Sequence, residues 1–131
     1  MAHMTPQING RSYEMDNVLD VEKVPLNTLQ LIDIYHARSG MMGMMSMPHP
    51  IHLHGQQFQI VRRSIDPDHR AAYETVRAGY VDSGWKDTVL VMPGESVRIL
   101  KPFDDFSGRF MYHCHNLEHE DAGMMRDFWV E

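Results

Sequence analysis

The chain has 131 residues, of which 43% are hydrophobic and 23% charged, and its formal net charge is -6. One soluble globular domain fits that length and mixture, and a disordered tail does not. The acidic balance argues against broad capture of nucleic acid or an anionic membrane, and no apolar run reaches the roughly 20 residues of a membrane-spanning helix.

Residues 1–6 read as a vector remnant or linker, because Met1-Ala2-His3-Met4 has neither the basic region nor the apolar core of a signal peptide. The domain is assigned to 7–131. A strand is expected between Gln7 and Met15, around a turn at Asn9-Gly10. From Thr28 to Tyr35 the chain is rich in β-formers and partly alternating, which predicts a strand. A second strand is expected from Ile51 to Arg62. Asp66-Pro67 reads as a cap followed by a first-turn proline, opening the single expected helix over 66–77. Asp87 to Met92 and Ser96 to Leu100 flank the turn-forming Pro93-Gly94-Glu95 and are expected to form a hairpin. Arg109 to Cys114 and Met124 to Val130 supply the last two strands. Short strands divided by turn residues predict an all-β fold, a Greek-key β-sandwich. Trp85, Phe110, Tyr112, Phe128 and Trp129 are expected in its core, and Arg62-Arg63 and Asp104-Asp105 at solvated strand ends.

The chemistry lies in two histidine clusters. Nine histidines and twelve methionines are many for this length, and both residue types supply donors that soft or borderline metals prefer. The first cluster is His49-Pro50-Ile51-His52-Leu53-His54-Gly55, and the second is His113-Cys114-His115 followed by His119 and Met124. Side chains alternate along a strand, so His52 and His54 project to one side. By the same rule His113 and His115 share a face while Cys114 points the other way. Two metal sites on opposite sides of one strand would then be joined covalently through Cys114. On the sulfur side the available donors are Cys114, His119, Met124 and, from the distant first cluster, His49. Two imidazoles, one thiolate and a weak axial thioether form a blue-copper donor set and disfavour zinc. On the other side, four imidazoles could hold a copper pair or part of a larger cluster. Glu120 and Asp121 are candidates for delivering protons or orienting a ligand.

The ordered pair His49-Pro-Ile-His-Leu-His-Gly55 and His113-Cys-His-x-x-x-His119-x-x-x-x-Met124 resembles the signature of the multicopper oxidases, in their C-terminal cupredoxin domain. Ile8-Asn9-Gly10, Gly84-Trp85-Lys86-Asp87-Thr88-Val89 and His119-Glu120-Asp121-Ala122-Gly123-Met124-Met125 are similar to the bacterial laccase and copper-efflux branch. The resemblance implies a cupredoxin-like fold whose first strand is expected to be missing here. It implies that His49, Cys114, His119 and Met124 bind a type 1 copper, and that His52, His54, His113 and His115 are ligands to type 2 and type 3 coppers, His52 on the type 2 side. Glu120 matches an acidic residue that supplies protons to dioxygen. The implied activity is one-electron oxidation of phenols or Cu(I) coupled to reduction of dioxygen to water, with Cys114 carrying electrons to its flanking histidines. The implied location is periplasmic or extracellular.

Half of the family's trinuclear ligands come from an N-terminal domain with two further His-x-His motifs. His3, His36 and His69 stand isolated in this sequence. The partners expected are therefore dioxygen, a small reductant, and either N-terminal cupredoxin domains of the same oxidase or a second copy of this chain related by a twofold axis. The rival from another class is a blue-copper electron-transfer or copper-binding module without oxidase activity on its own. A thiol hydrolase built on Cys114 would leave His49, His52, His54 and Met124 without a role. The run Met41-Met42-Gly43-Met44-Met45-Ser46-Met47 has two readings, recruitment of Cu(I) or an adaptable loop that packs against a neighbouring domain.

Overall fold

Alternating burial decides which way each strand faces, and through that the two layers of the molecule. The structure is a computed structural model describing residues 20–36, 47–116 and 125–131. Its strands are β1 (Lys23–Val24), β2 (Thr28–Tyr35), β3 (His49–Leu53), β4 (Gln59–Ile65), β5 (Thr88–Val91), β6 (Glu95–Phe103), β7 (Gly108–Cys114) and β8 (Met125–Val130). They form a five-stranded sheet in the order β1-β8-β7-β3-β5 and a three-stranded sheet in the order β2-β6-β4. All pairings are antiparallel except the short parallel contact of β1 with β8. The all-β sandwich expected from the sequence is therefore observed. Among the described residues no helix is long and apolar enough to cross a membrane. The strand expected over 7–15, and with it the question of a missing first strand, lies outside the described residues.

The core fills the space between the sheets. Ile51 and Leu53 of β3, Val89 and Val91 of β5, Tyr112 and Cys114 of β7 and Phe128 and Val130 of β8 face Val97, Ile99 and Phe103 of β6. Along β6 the alternation is strict, so Glu95 and Lys101 are buried with the apolar residues of that face.

Three expectations about elements are corrected. The single strand from Ile51 to Arg62 is two, β3 in one sheet and β4 in the other. Gly55 divides them with φ +89°, a left-handed conformation that side chains other than glycine rarely adopt. The expected hairpin around Pro93-Gly94-Glu95 is an arch, because β5 and β6 lie in different sheets. The inward residues Val89 and Val91 face Val97 and Ile99 across the core rather than lying beside them. The helix over 66–77 is broken into a 3₁₀ turn Pro67–His69, a short α1 (Arg70–Glu74) and a second 3₁₀ turn Arg77–Gly79. Asp66 makes no side-chain cap and instead accepts the Tyr35 hydroxyl at 2.7 Å. Thr75 ends α1 by turning its hydroxyl back onto the Ala72 carbonyl at 2.6 Å, a local bond that competes with helix continuation.

Two side-chain placements also differ. Trp85 is 57% exposed and does not join the core, whereas Tyr112 and Phe128 are buried and stack with ring centroids 4.5 Å apart. The Arg63 side chain is only 8% exposed rather than solvated. Its guanidinium donates to Asp82 at 2.9 Å, Glu95 at 2.9 Å and the Leu90 carbonyl at 2.8 Å, and lies 4.0 Å over the Tyr80 ring.

The arch makes a local prediction. Gly94 has φ +75°, and a Cβ there would lie 2.5 Å from Nδ1 and 2.7 Å from Cγ of His69. Gly94→Ala combines backbone strain with a clash against the His69 imidazole. A loss of about 1–3 kcal/mol is expected by chemical denaturation. Adding His69→Ala should restore the steric part and leave the backbone part.

Candidate metal centre

The β3–β7 register brings the two histidine clusters side by side. Ile51 opposes Cys114, His52 opposes His113, and Leu53 opposes Tyr112. Directly opposed residues share a face at short range, so His52 and His113 meet on the outer side of the sheet. Cys114, one residue further along, enters the core and is fully buried. His49 lies diagonally across from it, and its Nδ1 is 3.4 Å from the Cys114 sulfur. The pair is buried on one face while the remaining imidazoles gather on the other. This is the division that strand alternation predicts.

On the outer face, one nitrogen each from His52, His54 and His113 lies within 4.8 Å of the others. The Nε2 atoms of His54 and His113 approach to 3.1 Å. The ring of His115 stands 5.6 Å from those of both His52 and His113. For His52 and His113, hydrogen bonds set which nitrogen the ring presents. Nδ1 of His52 is 2.9 Å from the Asp87 carbonyl, which can only accept, so that nitrogen carries the proton and Nε2 keeps a lone pair. Nδ1 of His113 is 3.1 Å from the Cys114 carbonyl, with the same consequence. The Thr88 hydroxyl supports the first arrangement, lying 3.1 Å from Nδ1 of His52 and donating to the Asp87 carboxylate at 3.0 Å.

The donor set fits a transition metal. Two imidazole nitrogens each about 2.0–2.1 Å from one ion, at an angle between square-planar and tetrahedral, stand about 3 Å apart. The His54–His113 separation matches that distance. On the inner face, an adjacent thiol and imidazole form the N/S pair that borderline and soft metals select. Imidazoles held by a carbonyl or carboxylate on the far nitrogen are also the usual form of metal-ligating histidines.

Six of the expected site residues are therefore placed, with His49 beside Cys114 and with His52, His54, His113 and His115 together on the opposite face. His119, Glu120, Asp121 and Met124 lie outside the described residues, as do residues 41–46 of the methionine run. Sequence reasoning misses Asp87 and Thr88 as supports of His52, although both lie in the Gly84-Trp85-Lys86-Asp87-Thr88 segment. It also leaves His36 isolated. The structure places the His36 ring 4.4 Å from that of His49.

A two-sheet sandwich with a buried thiol–imidazole pair and an imidazole cluster on the outer face of the same strand defines a metalloprotein of cupredoxin-like fold. The sequence pattern of the multicopper oxidases matches residues 2–131, and the chain belongs to that family. Its cofactor is copper. A laccase of Bacillus stratosphericus is 44% identical over 86 residues, covering 60% of this chain and 17% of that protein. The multicopper oxidase mco of Staphylococcus aureus is 34% identical over 118 residues, covering 90% of this chain and 23% of that protein. The crystal structure of a multi-copper oxidase from Pediococcus acidilactici superposes with a TM-score of 0.69 at 32% identity, over 95% of this chain and 23% of that one. The chain thus spans less than a quarter of the length of these relatives.

Proposed function

We propose that residues 7–131 are the copper-carrying C-terminal cupredoxin domain of a laccase-like multicopper oxidase. His49, Cys114, His119 and Met124 are assigned to the type 1 copper. His52, His54, His113 and His115 are assigned to the type 2 and type 3 coppers, His52 on the type 2 side. The observation that carries this reading is the division across β7, with Cys114 inside at 3.4 Å from His49 and His113 outside beside His52 and His54.

Bound copper supplies one-electron redox chemistry at the thiolate site and dioxygen reduction at the imidazole cluster. The chain's own residues organise both. Cys114 links the two donor sets through its backbone, because its neighbours in sequence are His113 and His115. Asp87 and Thr88 hold His52 so that it presents Nε2. Glu120 is assigned to holding and delivering protons to dioxygen, and Asp121 to supporting it. In the whole protein, four single-electron oxidations of a phenol or Cu(I), with four protons, reduce one dioxygen to two waters. The imidazoles beyond this chain's own come from N-terminal cupredoxin domains of the same oxidase or from a second copy of the chain. The reaction is assigned to the periplasm or cell exterior.

The test is copper titration of the full chain followed by absorption and EPR spectroscopy. Wild type should develop an intense visible thiolate-to-copper band, and Cys114→Ser should lose it entirely. Colour that persists in Cys114→Ser would overturn the ligand assignment. A second reading, a copper module with no oxidase activity of its own, is favoured by the small share of the relatives that the chain spans. Copper stoichiometry, oxygen uptake and solution mass separate the two: one blue copper per monomer without oxygen consumption supports the module.

A further inference from the structure

Among the described residues, His36 touches His49 without belonging to either histidine motif. Its ring centroid is 4.4 Å from that of His49, tilted by 38°, and the residue is buried. His36 follows β2 directly, and its backbone is fixed on both sides. Its N–H donates to the Glu95 carbonyl at 3.0 Å, and its own carbonyl accepts from the Gly94 N–H at 3.0 Å. The ring is fixed as well. Nε2 lies 2.7 Å from the Met47 carbonyl, which can only accept, so Nε2 carries the proton and donates. Met47 precedes His49 by two residues. One ring therefore holds the chain entering β3 by a hydrogen bond and the His49 imidazole by packing.

We propose that His36 is a positioning residue that keeps the His49 imidazole aimed at Cys114 before a metal binds. The inference rests on the assignment of His49 as a copper ligand. Pleated geometry alone does not orient that ring. His49 is the first residue of β3, and its distance from Cys114 depends on the torsion between Cβ and the ring, which is broad for histidine. A ligand set works when its members are held within about 0.5 Å and 10–20° of the binding geometry by packing and hydrogen bonds around them. His36 supplies both kinds of support from a backbone tied to the arch between β5 and β6. Removing such outer support from a metal ligand typically lowers metal affinity about 10–100-fold.

The experiment compares wild type with His36→Leu, His36→Phe and His36→Gln as full chains, with Cu(II) as the only probe. Circular dichroism first establishes that each is folded. In metal-free wild type, nuclear Overhauser contacts between the two imidazoles should report the packed pair. His36→Leu should bind Cu(II) about 10–100-fold more weakly and show a displaced, weaker thiolate-to-copper band. His36→Phe keeps a ring against His49, and His36→Gln keeps a donor for Met47, so each should recover part of the lost affinity. Wild-type affinity and spectrum in a folded His36→Leu would overturn the positioning role while leaving the ligand assignment intact. If that variant does not fold, unchanged copper binding in both His36→Phe and His36→Gln overturns the role equally. A wild-type protein that binds Cu(II) with no thiolate band would remove the ligand assignment, and the positioning role with it.

Discussion

Glu22→Ala is expected to lower stability by about 3–5 kcal/mol, read as a shift of the urea unfolding midpoint at constant slope. Glu22 is buried, and so are its partners Arg126 and Tyr112. The Arg126 guanidinium donates from Nε to one carboxylate oxygen at 2.9 Å and from Nη2 to the other at 2.9 Å, a bidentate pair. The Tyr112 hydroxyl donates to the first oxygen at 2.6 Å. Burial and the neighbouring carboxylate both raise the Tyr112 pKa above its ordinary value, so the phenol remains a donor throughout the neutral range. Removing the carboxylate leaves a guanidinium in a site with little water and takes a charged acceptor from Tyr112. The desolvated guanidinium, stripped of its bidentate partner, dominates the effect more than the lost attraction itself. Glu22→Gln separates the two contributions because it keeps shape and one acceptor while removing the charge. It should lose less than Glu22→Ala and still more than about 1 kcal/mol. A smaller loss in both variants would mean that Arg126 finds solvent or another partner when Glu22 is gone. The cluster also bears on the site, since Tyr112 on β7 lies two residues before Cys114 and ties that strand to β8 and to the turn preceding β1.

The parts of the molecule written in local periodicity were the parts legible in the sequence. β2 spans Thr28–Tyr35 as expected, because alternating β-formers allow one register on a half-buried sheet. The opposite directions of Cys114 and His113 follow from the same period of two, which divides the donor sets by face. What was not legible depends on partners far away in the chain. Pro93-Gly94-Glu95 has the composition of a tight turn whether the flanking strands pair or face each other across a core. Only the inward Val89, Val91, Val97 and Ile99 distinguish an arch. Arg63 reads as a strand-end charge until Asp82 and Glu95 enclose it. His36 has no motif around it, and its contact with His49 appears only when β2 and β3, in different sheets, end beside the same arch.

Lys101→Met is expected to raise stability at pH 7 by about 2 kcal/mol, with the gain shrinking as pH rises from about 8 to 10.5. Lys101 is an inward residue of β6 and fully buried. Loss of hydration lowers its pKa from the ordinary 10.5 to about 8, with Asp105 opposing the fall. That difference corresponds to about 3 kcal/mol of penalty on the charged form in the fold. Below pH 8 the lysine is charged in both states and the full penalty applies. Between 8 and 10.5 the unfolded chain binds more protons than the folded one, so raising the pH stabilises the fold and removes the penalty. Methionine has similar length and no charge, but it cannot replace the hydrogen bond from Nζ to the Gln56 carbonyl, worth about 1 kcal/mol. It also loses the cation's position 5.2 Å above the Phe103 ring. The net gain at neutral pH is therefore smaller than the penalty alone, and above pH 10.5 it should vanish or reverse because only the lost hydrogen bond remains. Paired urea titrations of wild type and Lys101→Met at pH 7 and pH 10.5 read this directly, since other alkaline effects are common to both proteins. A gain independent of pH would mean that the ammonium is solvated in the fold and that packing alone accounts for the difference.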